Sequence, residues 1–249
     1  MTAVIIFIVG LFVGSFLNVV ILRLGTNKSM WFGRSQCPQC QTTIAWYDNI
    51  PVISFLLLQG KCRNCQQRIS NQYISVELIT AVSFIWLLDR FGWSTAALVY
   101  AVFFCFLIVI FVYDLRHYLI LDGVVLPGVL VAAAGSWYLG VSWQSLALGM
   151  IIGAGFFAAQ FFISGGRWVG GGDIRLGAMM GAMLGWQLLL VALFIAYVVG
   201  AAVGLALMAA KQKTMASQIP FGPFLTLATF IALLYGQPIL QWYLRSLYL

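Results

Sequence analysis

The sequence predicts an all-α, polytopic membrane protein of about eight transmembrane helices, with a small cysteine-bearing loop domain after the first span. Three observations predict it. Apolar residues fill 63% of the 249 positions and charged residues only 8%, which is more apolar surface than a soluble domain of this length can hide. The apolar residues fall in runs near 3–22, 73–89, 95–113, 123–140, 144–163, 174–185, 187–209 and 221–243, most of them close to the roughly 20 residues that a bilayer span requires. The one extended polar interruption, residues 23–72, holds four of the five cysteines. The runs at 174–185 and 187–209 share too few residues for two perpendicular spans. One of them is therefore short and begins inside the membrane, within a protein-lined cavity.

Charge fixes the expected orientation. The net charge is +7, but the basic residues sit between apolar runs and form no stripe or tail. That placement reads as topology signals and argues against nucleic-acid binding. No Lys or Arg precedes the first apolar run and Arg23 follows it, so this run is expected to stay in the mature chain with its N-terminus outside. Of the 13 basic residues, Arg23, Lys28, Arg34, Lys61, Arg63, Arg68, Arg116, Arg167, Arg175, Lys211 and Lys213 then fall inside, and only Arg90 and Arg245 outside. The positive-inside rule favours this arrangement over its inverse. Residues 1–22 become the first transmembrane helix, 23–72 a cytoplasmic loop domain and 73–249 a helical membrane domain. The polar loops 164–173 and 210–223 also fall in the cytoplasm.

Two CxxC pairs, Cys37-Pro-Gln-Cys40 and Cys62-Arg-Asn-Cys65, lie 21 residues apart. Each pair can turn two thiolates to one side, and two such knuckles close a tetrahedral zinc site. A loop of this size has too little core to fold alone, so a metal would supply its stability. The rival is dithiol redox chemistry, with the protein a membrane thiol–disulfide carrier. A reducing cytoplasmic setting favours structural zinc. Cys105, mid-span among Phe and Ile, reads as a small buried hydrophobe.

Six acidic residues are few enough for each to be informative. Asp48, in the cysteine loop, and Asp89, at an outer helix end, are expected to be solvated. Glu77 sits about one turn into the second span, where an ionisable group is costly and usually functional, the alternative being a pairing with a basic loop residue. Asp114 ends the third span, Asp122 opens the fourth, and Asp173 follows a glycine run. The chain crosses the membrane twice between Asp114 and Asp173, so both return to one face. Two carboxylates meeting at a membrane boundary suit aspartic hydrolysis, in which one takes a proton from water and the other polarises the scissile carbonyl. Gly170, Gly171 and Gly172 leave room for an extended substrate and permit unusual backbone angles, while Asp173 can cap free helix amides. The alternative is that Asp173 is only a cap and Asp114 only a boundary residue. His117, the lone histidine, is expected to be interfacial.

The ordered series GSFLNVVILRL (14–24), CPQC and CRNC, NQYISVE (71–77), YDLRHYLILD (113–122), GGGD (170–173) and IPFGPFL (219–225) resembles the bacterial type IV prepilin peptidases. The resemblance covers nearly the whole chain. It implies cleavage of the short basic leader of prepilins and type II secretion pseudopilins at the cytoplasmic face of the bacterial inner membrane. It also implies N-methylation of the new N-terminus by S-adenosylmethionine. The family's two catalytic aspartates fall on Asp114 and Asp173, its zinc cysteines on Cys37, Cys40, Cys62 and Cys65. Asp122 matches a further family acid, with Leu121 where Pro is usual and Arg175 where Lys is common. No glycine-rich dinucleotide fingerprint follows a strand. The resemblance places the methyl donor near the first cytoplasmic loop, with Gly14, Asn18 and Glu77 as its candidate residues.

Overall fold

A computed structural model describes residues 2–26, 29, 33–210 and 219–247. Lys28, Lys211 and Lys213, three of the residues assigned to the inside, lie outside the described residues, as does most of the loop 210–223. The helices are α1 (Thr2–Arg23), α2 (Ile53–Leu57), α3 (Gln72–Phe91), α4 (Thr95–His117), α5 (Asp122–Tyr138), α6 (Trp143–Ser164), α7 (Gly171–Ala209) and α8 (Gly222–Leu247). Among the described residues the only strand-like pairings are two isolated bridges, Gln36 with Thr43 and Lys61 with Arg68. Helices α1, α4, α6, α7 and α8 are long and apolar enough to cross a membrane, and α5 is a shorter apolar helix.

The expected short span is present as part of α7. Its 39 residues pass through Gly185, whose φ of 68° and ψ of 174° are not helical. The break separates a short segment, 171–184, from a longer one, 186–209. A break frees backbone groups that lipid cannot satisfy, and here the Ser136 hydroxyl of α5 donates to the Met183 carbonyl at 3.0 Å. With α7 so divided, the eight expected spans have eight helical counterparts.

The chain forms two compact units, residues 1–109 and 110–249, with α4 running through the boundary. In the first, α1 and α3 pack antiparallel along small residues. A Cβ on Gly10 would lie 2.5 Å from the Ala81 Cα, and one on Gly14 would lie 2.7 Å from the Glu77 Cα. One further turn along, the Asn18 amide donates to the Tyr73 carbonyl at 3.0 Å. Residues four apart on α1 thus meet residues four apart on α3, a small-residue seam that draws two backbones together in lipid.

The second unit repeats the device. Gly149 and Gly153 of α6 lie against Gly181 and Gly177 of α7 so closely that a side chain on any of them would meet the opposing backbone. The short first segment of α7 is therefore held by backbone contact from Gly177 onward, one turn after Asp173.

Candidate active site and metal centre

Asp114 lies on the last turn of α4, which ends at His117 as Tyr118 adopts a left-handed φ of 54°. The Tyr118 N–H returns to the Asp114 carbonyl at 2.8 Å. This sharp stop turns the chain into the 119–121 link, and Ile120 of that link lies on Gly172. Gly172 leads directly into Asp173, the third residue of α7, so the link brings the end of α4 beside the start of α7. Asp173 is within electrostatic reach of Asp114. Both carboxylates are shielded, Asp114 at 4% exposure and Asp173 at 6%.

Each carboxylate is held by backbone at a helix start. The Gly170 N–H donates to Asp173 Oδ2 at 2.8 Å, and the Asp173 N–H donates back to the Gly170 carbonyl at 3.1 Å. This is the reciprocal N-terminal capping expected of an acid at that position. Asp114 accepts from the backbone N–H of Gly222, the first residue of α8, and a Cβ on Gly222 would lie 2.5 Å from Asp114 Oδ2. Gly222 was not among the residues the sequence singled out. Its signal was the glycine within IPFGPFL, more than a hundred residues from the acid it supports.

One of the two reasons for the glycine run, unusual backbone angles, is corrected by the structure. Gly170 has φ −80° and ψ 157°, extended backbone open to any residue, and neither Gly171 nor Gly172 has a positive φ. At Gly172 it is approach that requires glycine. A Cβ on Gly172 would lie 2.7 Å from the Ile120 Cβ, whereas Gly171 has nothing within 4 Å.

The remaining acids divide by partner. Asp122, exposed at the start of α5, forms an ion pair with Arg175 of α7, also exposed. Asp48 is not the solvated charge expected: Arg63 grips it with two donors at 2.8 and 2.7 Å, and the guanidinium holds its carboxyl below the usual range. The physical reason is that the second cysteine knuckle carries Arg63 back over the first half of the loop. Asp89 is exposed, as expected. His117 is exposed and its ring lies against Tyr113 with centroids 4.5 Å apart.

The four loop cysteines converge. Cys37 and Cys65 have their sulfurs 3.8 Å apart, Cys40 and Cys62 4.0 Å, and all four sulfurs lie within 4.8 Å of one another. Zinc–sulfur bonds of about 2.3 Å in a tetrahedron require sulfur–sulfur edges of roughly 3.8 Å. The residues fit a metal ion of that kind. Each knuckle is closed by one of the isolated bridges, and Thr42 hydrogen bonds hold the Cys40 thiol down at about 6. Sulfurs of opposite motifs stand this close, and all four gather in one cluster, the arrangement of one four-sulfur site rather than of two separate CxxC dithiols. The thiol–disulfide carrier therefore has no support.

Gly14, Asn18 and Glu77 meet on the α1–α3 seam, and their groups are already engaged. Gly14 is filled by the backbone of Val76 and Glu77. Asn18 donates to Tyr73 and accepts from Gln72. Glu77 accepts the Val52 N–H at 2.8 Å and a Ser15 hydroxyl, rather than pairing with a basic loop residue. Val52 is a β-branched residue with φ 60°, a strained conformation that the buried carboxylate holds in place.

Residues 8–91 match the Bacterial Peptidase A24 N-terminal domain and residues 101–205 the Type IV leader peptidase family. The chain is 35% identical to a prepilin leader peptidase/N-methyltransferase of Bacillus subtilis, covering 97% of each. It is 34% identical to one of Pseudomonas putida, over 93% of this chain and 90% of the relative. It is 39% identical to one of Myxococcus xanthus over 61% of its own length, and there it spans only 45% of the relative. No solved structure matches it. Two matched domains in the family's order and relatives aligned almost end to end establish that the chain belongs to the Type IV leader peptidase family.

Proposed function

We propose that this protein cleaves the leader peptide of type IV prepilins and type II secretion pseudopilins, with Asp114 and Asp173 as its catalytic carboxylates, and N-methylates the residue so exposed. The observation that carries the reading is the meeting of two shielded acids from separate helix ends, each held by a backbone amide. One carboxylate, ionised, takes a proton from water as the water oxygen bonds to the scissile carbonyl carbon. The other, protonated, donates a hydrogen bond to the carbonyl oxygen as negative charge develops there. Collapse of the tetrahedral species breaks the C–N bond, and the leaving nitrogen takes a proton from the pair. The two acids divide the proton work and so act as one unit.

The work divides along the chain: residues 1–22 as the first transmembrane helix, 23–72 as a zinc-binding domain and 73–249 as the peptidase domain. Zinc on Cys37, Cys40, Cys62 and Cys65 is structural, because four protein ligands leave no open position for substrate. S-adenosylmethionine is the methyl donor that the sequence resemblance implies, and the N-methyltransferase in the relatives' names supports a methyl transfer. Gly14, Asn18 and Glu77 are the candidate residues for the methyl donor, and they also hold the α1–α3 seam and the loop above it. The active site faces the cytoplasm of the bacterial inner membrane and the N-terminus lies outside, as the distribution of Lys and Arg favours.

The direct test is incubation of detergent-purified protein with a synthetic prepilin and mass measurement of the products. A product lighter by the leader supports the proteolytic half, a further gain of one methyl supports the other, intact substrate overturns the first, and a pre-cleaved pilin left unmethylated overturns the second. Within the same assay, Gly171→Ala leaves cleavage near wild type. Gly172→Ala drives a methyl into Ile120, costs about 1–3 kcal/mol of local packing and slows cleavage by displacing Asp173. Equal effects of the two would show that the run serves substrate access rather than the seating of the link.

A further inference from the structure

The loop 23–72 is polar on average, yet it presents five large apolar side chains outward. Trp46 is 77% exposed, Leu56 63% and Leu57 78%, with Tyr47 and Ile53 also exposed. Outward apolar side chains on a span face lipid and need no comment; these five lie off the spans, within twelve residues formed by the 3₁₀ turn Trp46–Asn49 and α2. The segment is rigid. The buried Ser54 hydroxyl donates to the Tyr47 carbonyl at 2.7 Å and accepts the Ile50 N–H at 3.1 Å, tying turn to helix. Phe55 packs inward on Gly60, which leaves Ile53, Leu56 and Leu57 as the outer face.

The depth of the segment follows from its anchor. Val52, at the head of α2, donates to Glu77, five residues into α3, and Glu77 packs on Gly14. Gly14 precedes Arg23, the end of α1, by nine residues, or roughly 13 Å of helix. Even allowing for the reach of the glutamate back toward the loop, the head of α2 is tied to the α1–α3 pair at a level short of Arg23. Charge points the same way. Residues 23–72 carry six basic residues and one acid; that acid, Asp48, is neutralised by Arg63, and Arg34, Lys61 and Arg68 are exposed.

We propose that residues 46–57 form an in-plane wedge in the leaflet adjoining the loop. Trp46, Tyr47, Ile53, Leu56 and Leu57 enter the headgroup–acyl boundary, and the exposed basic residues meet anionic headgroups. A short, strongly sided element with aromatic residues and flanking cations is what an interface holds. The wedge keeps the cysteine domain at the membrane surface whatever reaction the aspartates perform. The test uses the full chain in lipid nanodiscs with a benzophenone amino acid at position 57, position 46 or, as control, the exposed position 67. Irradiation is expected to give lipid acyl-chain adducts at 57 and 46 and none at 67, with higher yield when phosphatidylglycerol replaces phosphatidylcholine. Adducts at 57 and 46 to peptide instead of lipid would show the face covered by protein and overturn the proposal, as would the absence of any adduct. A yield indifferent to the headgroup would overturn its electrostatic part.

Discussion

Asp114→Asn and Asp173→Asn each lower leader cleavage about a thousandfold or more, within or beyond the range for removing one proton-transferring group, while the protein still inserts and accumulates. Hydrogen-bond accounting separates the two effects. An asparagine at 173 still presents a carbonyl oxygen to the Gly170 N–H, and one at 114 still presents an acceptor to Gly222. The caps survive, so the helices keep their ends. What is lost is the capacity to take a proton from water or give one to the carbonyl. Because the two acids act as a unit, the double substitution is expected to be no worse than either single one. Asp122→Asn is the contrast: it breaks an exposed ion pair with Arg175, worth at most about 1 kcal/mol, and cleavage falls only modestly. Initial rates on a synthetic prepilin, read by mass, distinguish these outcomes. Wild-type-like cleavage by either single mutant removes that residue from the catalytic pair.

Legibility followed sequence distance. The cysteine cluster was readable because CxxC spacing is local, and the acids because six carboxylates in so apolar a chain leave few candidates. The short span before Gly185 was readable from length alone. The supports were hidden because their partners come from elsewhere. Nothing near Gly172 announces Ile120, and nothing near Gly222 announces Asp114. The GxxxG spacings at Gly10–Gly14, Gly149–Gly153 and Gly177–Gly181 were present in the sequence. Which backbones they admit depends on helix register, fixed only when α1 meets α3 and α6 meets α7. Averaging hid the apolar wedge, since Leu56 and Leu57 sit among enough Gln, Arg and Cys for the loop to read as polar. Glu77 was recognised as costly, but its partner, a strained backbone amide at Val52, leaves no trace in composition.

Replacing Cys62 and Cys65 by serine should abolish metal binding and unfold the loop while leaving the aspartate pair standing. The described part of residues 23–72 buries little beyond Leu24, Cys37, Pro51, Ser54 and Gly60, too little core to survive without the ion. The damage should spread along one path. Once the loop opens, the Val52 amide leaves Glu77, and a carboxylate only 6% exposed loses its backbone donor, a loss of about 1–3 kcal/mol or more for a charged group. That loosens the α1–α3 seam, where methyl transfer is proposed to depend on Gly14, Asn18 and Glu77. Asp114 and Asp173 lie in the other compact unit, and the α6–α7 glycine seam that holds the first segment of α7 contains no part of the loop. Methyl transfer is therefore expected to fail more completely than cleavage, which should be slowed but measurable. Zinc content by elemental analysis, with the masses of cleaved and methylated products, checks each step. Cleavage abolished while a pre-cleaved pilin is still methylated would mean that the loop serves the proteolytic half, by presenting the substrate to the aspartates.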